Sequence, residues 1–281
     1  MTDPAMLIFL AFSFVMGAAI GSFLNVCIAR WPAGESVVAP RSRCPACGHQ
    51  IRWYENVPIV SWLALRGRCA GCGGAISPRY LLVELLIGLG WLLAFWAYGP
   101  TFTALRLAVF GTIMAGVAIT DALHYLIPDG FTVSGLLWVL GTAVAELFMA
   151  ASGDKLSPFA APADALLGAC AAAGAVAIIG WLGEAALKKE AMGFGDVTLM
   201  AVVGGALGPW MGLLTIFVGA VLAAVVFPVV VLPVALTRAR RAGREFEMPQ
   251  VPFGVFLAPA ALLTLLWGGA MVDWYAYHFL G

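Results

Sequence analysis

The chain has 281 residues, 62% hydrophobic and only 11% charged, with fifteen acidic and fifteen basic side chains balancing to zero. Soluble domains carry about 25% charged residues, so this composition, with a mean hydropathy of +0.97, excludes an ordinary water-soluble globule. It describes an all-α polytopic protein with membrane lipid as its solvent, and the lack of a net basic field excludes nucleic acid as a partner.

Apolar runs of spanning length fall at about 5–29, 81–98, 103–120, 131–150, 163–184, 196–208, 210–236 and 253–279, predicting about eight transmembrane helices at roughly 20 residues per crossing. The first run is read as a retained helix rather than a signal peptide. Asp3 is the one charge ahead of it, and it exceeds the roughly 7–15 residues of a signal-peptide core. The run at 196–208 is short before Pro209, so it either begins earlier or lies where the bilayer thins. Thirteen of the fifteen basic residues then fall on one side: Arg30, Arg41, Arg43, Arg52, Arg66, Arg68, Arg79, Lys188, Lys189, Arg238, Arg240, Arg241 and Arg244. The positive-inside rule makes that side cytoplasmic and turns both termini outward. Arg106 and Lys155 fall toward the other side, where 151–163 reads as an outward loop. Gly17 and Gly21 form a Gly-x-x-x-Gly step suited to close helix packing. Trp31, Trp53, Trp91 and Trp274 suit the aromatic belt, and His278 reads as an exposed terminal residue.

Between the first two spans, residues 30–80 form the one segment able to make a soluble subdomain, too short for a self-sufficient core without a staple. The staple is Cys44-Pro-Ala-Cys47-Gly-His followed, after 21 intervening residues, by Cys69-Ala-Gly-Cys72-Gly-Gly. Two residues between thiolates let both reach one tetrahedral ion at about 2.3 Å, and two such knuckles complete a four-cysteine structural zinc shell. Two disulfides or four free thiols are the competing readings; a cytoplasmic placement disfavours disulfides. With cysteine in all four positions, no site is left for a catalytic water. His49, beside Cys47, reads as a bystander, while Cys27 and Cys170 read as small core residues.

Ionisable groups in spans are costly and are functional candidates by default. Here they are Glu84, Asp121, Asp129, Glu146, Asp164, Glu184 and Asp196. Asp121 closes an apolar run and is followed by Ile127-Pro128-Asp129; Asp196 ends Gly193-Phe-Gly-Asp and opens the next apolar run. Both are predicted at cytoplasmic helix ends, at one depth, although 75 residues separate them. Two carboxylates a few Å apart cannot both ionise cheaply, so one holds a proton while the other acts as base on water, the logic of an aspartic protease. The competing reading is a pair of helix-end carboxylates facing water, with Asp196 suited to the dipole of its helix.

Taken together, the motifs resemble the bacterial type IV prepilin peptidases, leader peptidase/N-methyltransferases of the Gly-x-Gly-Asp intramembrane aspartic class. The resemblance runs through Gly21-Ser-Phe-Leu-Asn-Val-Cys-Ile-Ala-Arg-Trp-Pro32, Glu55-Asn-Val-Pro-Ile-Val-Ser-Trp-Leu63, Arg66-Gly-Arg-Cys69, Ile76-Ser-Pro-Arg-Tyr80, Val83-Glu-Leu-Leu86, Ile127-Pro-Asp129, Gly193-Phe-Gly-Asp196 and Pro252-Phe-Gly254. It implies catalytic aspartates at Asp121 and Asp196, with Asp129 the rival for the first role, and zinc on Cys44, Cys47, Cys69 and Cys72. It also implies cleavage of prepilin or pseudopilin leaders at the cytoplasmic face of the bacterial inner membrane. Residues 81–281 would then form the peptidase core behind the first helix (1–29) and the zinc subdomain (30–80). Methylation of the new N-terminus with S-adenosylmethionine is implied as well. For that second site Glu84 is a candidate polar group, with an ion pair to Arg79 as its structural alternative. Leu81 and Thr198 stand where the family often has proline and lysine; neither change removes a catalytic group. Two other classes compete: a proton-coupled transporter, which would need polar groups across the midplane, and a non-catalytic pilus or secretion assembly factor docking through the zinc loop. A serine intramembrane protease lacks a Gly-x-Ser-Gly with a partnered histidine.

Overall fold

The computed structural model describes residues 4–149, 157–188, 192–242, 245–246 and 248–280. Lys155, Lys189, Arg244 and most of the loop expected at 151–163 lie outside the described residues. Among the described residues, ten α-helices run in chain order: α1 Pro4–Arg30, α2 Val60–Ala64, α3 Pro78–Tyr98, α4 Phe102–His124, α5 Asp129–Met149, α6 Pro162–Leu187, α7 Phe194–Leu207, α8 Pro209–Val226, α9 Leu232–Ala242 and α10 Gly254–Tyr275. A π-helical turn at Phe227–Val231 joins α8 to α9, and another, Ala276–Leu280, extends α10. Among the described residues, seven helical stretches are long and apolar enough to cross a membrane. The eighth expected span is α7, 14 residues long, or about 21 Å at 1.5 Å per residue.

Two compact units result, Met1–Gly116 and Val117–Gly281. In the first, α1 and α3 pack through glycine. A Cβ on Gly17 would lie 2.7 Å from Trp91, one on Gly21 2.9 Å from the Glu84 backbone, and one on Gly88 2.9 Å from the Phe14 ring. The expected Gly17/Gly21 step is therefore a site of backbone approach, as small-residue stripes in membrane helices are. Trp91 departs from the aromatic-belt expectation. It is buried, and its indole N–H donates to Thr112 Oγ1 at 3.0 Å. A tryptophan flanked by apolar residues looks the same in sequence whether it faces headgroups or a neighbouring helix.

In the second unit α7 is the central element, packed by α5, α6, α8 and α10. Residues 199, 200 and 202–207 are all buried. A helix jacketed by other helices need not match the hydrocarbon thickness itself, which accounts for the short run before Gly208, whose φ is +81°. The α6–α7 contact is backbone to backbone: a Cβ on Gly168 would collide with the Gly204 carbonyl oxygen, and one on Gly204 with that of Gly168. Nothing there is a flexible side chain that could yield. Gly168→Ala is therefore expected to destabilise at or above the upper end of the 1–3 kcal/mol typical of overpacking, read as a lower thermal midpoint of the detergent-solubilised chain. Cys170, expected in the core, is exposed on α6 instead. That helix is apolar on all sides, so its sequence does not distinguish a lipid-facing from a protein-facing position.

Candidate active site and metal centre

Of the seven acids in or beside spans, Glu84 and Asp121 are buried, Glu146 and Asp196 are half-buried, and Asp129, Asp164 and Glu184 are exposed. Asp121 lies one turn before the end of α4, at 4% exposure, and its Oδ2 has no hydrogen-bond partner. The helix closes on Tyr125, which takes φ +56° and donates its backbone N–H to the Asp121 carbonyl at 2.9 Å. The Tyr125 hydroxyl reaches the Gln250 carbonyl at 3.4 Å, tying this corner to the segment that leads into α10.

Asp196 stands in the first turn of α7, where the dipole of the helix favours a carboxylate and its own N–H donates to Gly193 O at 3.1 Å. It is an electrostatic neighbour of Asp121. Asp121 and Asp196, 75 residues apart in the chain, thus lie in one unit and interact electrostatically. Asp129, the rival for the first role, opens α5 and faces outward.

Two glycines draw the motifs onto this pair. A Cβ on Gly254 would lie 2.6 Å from Asp121 Oδ2 and 2.9 Å from Ile127 Cδ1; one on Gly195 would lie 2.9 Å from Ile127 Cβ. The Ile127-Pro128-Asp129 corner, the Gly193–Asp196 turn and the Pro252–Gly254 turn therefore converge on one carboxylate pair. The close approach of Gly254 escapes the sequence-level argument, which quotes Pro252-Phe-Gly254 without a role. Its signal is a glycine as the first residue of a helix, directly after the N-cap Phe253, where a residue of higher helix propensity is the commoner choice. Thr198, in place of lysine, turns inward along its own helix, its Oγ1 donating to Gly195 O at 3.0 Å.

In the other unit the four cysteines form one cluster. Their sulfurs all lie within 4.8 Å of one another, with Cys44–Cys72 and Cys47–Cys69 each at 4.0 Å. A tetrahedral ion with 2.3 Å metal–sulfur bonds requires sulfurs about 3.8 Å apart, whereas a disulfide requires about 2.05 Å. The cluster therefore fits a bound metal, and all four cysteines are unbridged.

Each Cys-x-x-Cys is a tight knuckle built the same way. Cys44 N–H donates to His49 O and Gly48 N–H to Cys44 O, both at 2.9 Å; Cys69 N–H donates to Gly74 O and Gly73 N–H to Cys69 O, both at 2.8 Å. Gly48 and Gly73 each take φ +71°, a conformation glycine adopts without a Cβ clash. The Gly71 N–H points at Cys69 Sγ at 3.4 Å. His49 is occupied elsewhere, its Nε2 2.9 Å from Glu55 Oε2. The Arg52 backbone N–H and His49 together hold the Glu55 carboxyl below the usual carboxylate range.

Glu84 does not form the ion pair with Arg79 offered as its structural alternative. Its Oε2 accepts the Ile59 backbone N–H at 2.7 Å, and the Arg79 guanidinium lies over the Tyr80 ring, 5.4 Å from its centroid.

Against known families, the bacterial peptidase A24 N-terminal domain matches residues 15–98 and the type IV leader peptidase family matches residues 108–229. Among curated relatives, a prepilin leader peptidase/N-methyltransferase of Myxococcus xanthus is 38% identical over 92% of this chain and 72% of its own length. Proteins of the same name are 36% identical in Stutzerimonas stutzeri, over 93% of this chain and 92% of theirs, and 35% identical in Pseudomonas aeruginosa, over 96% and 94%. No solved structure matches the chain.

Proposed function

Because the chain belongs to the type IV leader peptidase family, we propose that it cuts the leader from prepilin-like proteins with Asp121 and Asp196 as its catalytic pair, then methylates the new N-terminus. The observation that carries the peptidase reading is the buried Asp121 carboxyl with Asp196 as its electrostatic neighbour, closed over by Gly254.

The chemistry follows from the pair sharing one proton. The ionised carboxylate takes a proton from water as the water oxygen bonds to the scissile carbonyl carbon. The protonated partner gives its proton to the carbonyl oxygen. As the tetrahedral intermediate collapses, the carbon–nitrogen bond breaks, the leaving amine takes up a proton, and the pair returns to its one-proton state. No covalent enzyme intermediate forms. Of the nearby glycines, Gly193 is the open one, with nothing closer to its Cβ position than Asp196 Oδ2 at 3.8 Å, and its backbone leaves room for an extended substrate strand beside the acids.

Zinc is the ion proposed for Cys44, Cys47, Cys69 and Cys72: four thiolates at tetrahedral spacing suit it, and a closed shell makes its role structural. S-adenosylmethionine is proposed as the methyl donor. When bound it supplies an electrophilic methyl group, which the amine nitrogen takes with its lone pair while the carbon–sulfur electrons stay on sulfur and a proton leaves nitrogen. Substrates are prepilins or pseudopilins, whose basic leader and apolar helix suit a site at the edge of the hydrocarbon. We place this multi-pass chain in the bacterial inner membrane with the zinc segment (30–80) cytoplasmic, ahead of a transmembrane core (81–281), and both ends of the chain outward. The positions of the basic residues support that orientation.

The decisive assay is mass spectrometry of a prepilin N-terminus after incubation with the purified chain. A trimmed and methylated N-terminus is expected; an intact leader sinks the proposal. Within it, Gly254→Ala is expected to slow cleavage about 10²-fold, because its methyl group would displace the Asp121 carboxylate by a fraction of an ångström to an ångström. Parent-like cleavage by that variant would remove Gly254 from the setting of the pair.

A further inference from the structure

The segment between α1 and α3 reads as a soluble subdomain, yet one edge of it is apolar and uncovered. Val60 and Leu63 stand three residues apart on α2, so they share a face, and they are 61% and 58% exposed. The opposite face of α2 is spent inward. Ser61 is buried, its Oγ donating to the Tyr54 carbonyl at 2.8 Å, and Trp62 and Leu65 line a cavity against α1 and α3. Trp53, in the helical turn that packs on α2, is 82% exposed. Uncovered apolar faces of this kind mark interaction sites.

Depth identifies the occupant. Ile59, the residue before α2, donates its N–H to Glu84 at 2.7 Å. Glu84 belongs to a crossing helix, five residues past Arg79. It also backs onto α1 nine residues before Arg30, where a Cβ on Gly21 would lie 2.9 Å from the Glu84 Cα. Arg30 and Arg79 bound the apolar runs of the two helices and so mark the headgroup level. At 1.5 Å per residue, the Glu84 backbone is about 7 Å inside Arg79 and about 13 Å inside Arg30. Its carboxylate leans back toward the helix N-terminus, which leaves Ile59 pinned where headgroups give way to hydrocarbon. Positive φ at Ile59, +63°, and at Arg66, +53°, turns the chain sharply into and out of α2. At the same depth Phe23 of α1 and Leu82 and Leu86 of α3 are exposed as lipid-facing side chains, so the apolar face of α2 continues a surface that already meets lipid.

Charge agrees with depth. Residues 31–77 hold five arginines against two glutamates, and Glu55 is occupied by His49 and the Arg52 N–H. Arg66 and Arg68 follow α2 directly, and both are exposed. Anionic lipid attracts such residues, whereas the basic leader of a prepilin would be repelled by them. We infer that α2 dips into the edge of the bilayer, with Val60 and Leu63 among acyl chains, Trp53 at headgroup level, and Arg66 and Arg68 on anionic phospholipid headgroups. Interfacial helices bury their apolar face about 5–10 Å into this boundary. The choice of the inner leaflet rests on the orientation proposed above; the insertion itself does not.

The full-length chain is reconstituted in vesicles of phosphatidylcholine and phosphatidylglycerol in equal amounts, one of the two carrying a photoactivated diazirine on its acyl chain. Trypsin cuts after Arg52 and Arg66, so one peptide, 53–66, carries α2, and mass spectrometry locates the adducts. They are expected at Val60 and Leu63, about fivefold more from the phosphatidylglycerol probe, the preference that one arginine near an anionic surface confers. Leu63→Asp is expected to lower them about tenfold, the shift for one leucine leaving an apolar setting, at unchanged zinc content. Adducts confined to Trp62 and Leu65 would be probe inside the cavity and overturn the inference. Equal yields from the two probes overturn the arginine contacts. Adducts on the spans with none on 53–66 overturn the whole, and Leu63→Asp then names the occupant: a lost dimer points to a second copy, slowed leader cleavage to the substrate helix.

Discussion

Replacing Asp121 or Asp196 by asparagine is expected to lower kcat/KM for leader cleavage by about 10³-fold or more, in the range of a positioned acid or base. Asparagine keeps the shape of the side chain but neither accepts the water proton nor holds the shared one. The two residues act as a unit, so the double variant should be little worse than either single one. Asp129→Asn, at the exposed start of α5, is expected to cleave within about threefold of the parent. If Asp129→Asn were dead and Asp121→Asn active, the two roles would have to be exchanged. Stability separates chemistry from folding. Asp121 buries a carboxyl oxygen with no hydrogen-bond partner, an arrangement that costs free energy. Asp121→Asn should therefore keep or raise the thermal midpoint while abolishing turnover, the trade-off expected where an active site is held against its own stability.

The second large effect concerns the metal. Purified chain should carry about one zinc, and Cys44→Ser should carry almost none. Between α1 and α3 the described backbone holds the five residues of α2, brief helical turns and two isolated bridges, Arg43–Gln50 and Arg68–Ala75. Each bridge closes one knuckle. That is far too little to order roughly fifty residues against their conformational entropy, whereas a structural zinc contributes about 10–16 kcal/mol in small metal-folded domains. Chelation should therefore open residues 36–75 to protease while α1 and α3, locked by Gly17, Gly21 and Gly88, stay protected. A zinc-free parent that resists protease in this segment would end the metal assignment.

The features legible in the sequence are those fixed over a few residues. Cys-x-x-Cys spacing, the glycine after each pair and the Gly17/Gly21 step all concern local backbone geometry, and the structure has each where the spacing puts it. The carboxylate pair was half legible. Its members could be nominated as charged groups at helix ends, but only burial separates Asp121 from Asp129, and burial depends on which helices surround α4. The misreadings share one cause. Cys170 and Trp91 both sit in runs that are apolar on every side, because lipid and protein neighbours make the same demand on a side chain; in water the outer face would have been polar and the pattern readable. The Glu84–Arg79 pair failed for another reason. Five residues apart in sequence, the two could plausibly have met, but a backbone N–H from Ile59, on a strained turn 25 residues upstream, reaches the carboxylate instead.

The two helices either side of Gly208 mismatch a bilayer in opposite senses. The first, α7, measures about 21 Å; the helical stretch that follows, 34 residues from Pro209 to Ala242 interrupted by the π-helical turn at Phe227–Val231, has a path length of roughly 50 Å against a hydrocarbon layer of about 30 Å. No single lipid thickness suits both. The long stretch must lean or push its arginine-bearing end, Arg238 to Arg241, out into the headgroups, and it takes up changes in membrane thickness at little energetic cost. The short helix carries Asp196 inside a sleeve of protein and touches little lipid. Thickening or thinning the bilayer is thus expected to be taken up by the longer stretch, leaving Asp196 at its depth.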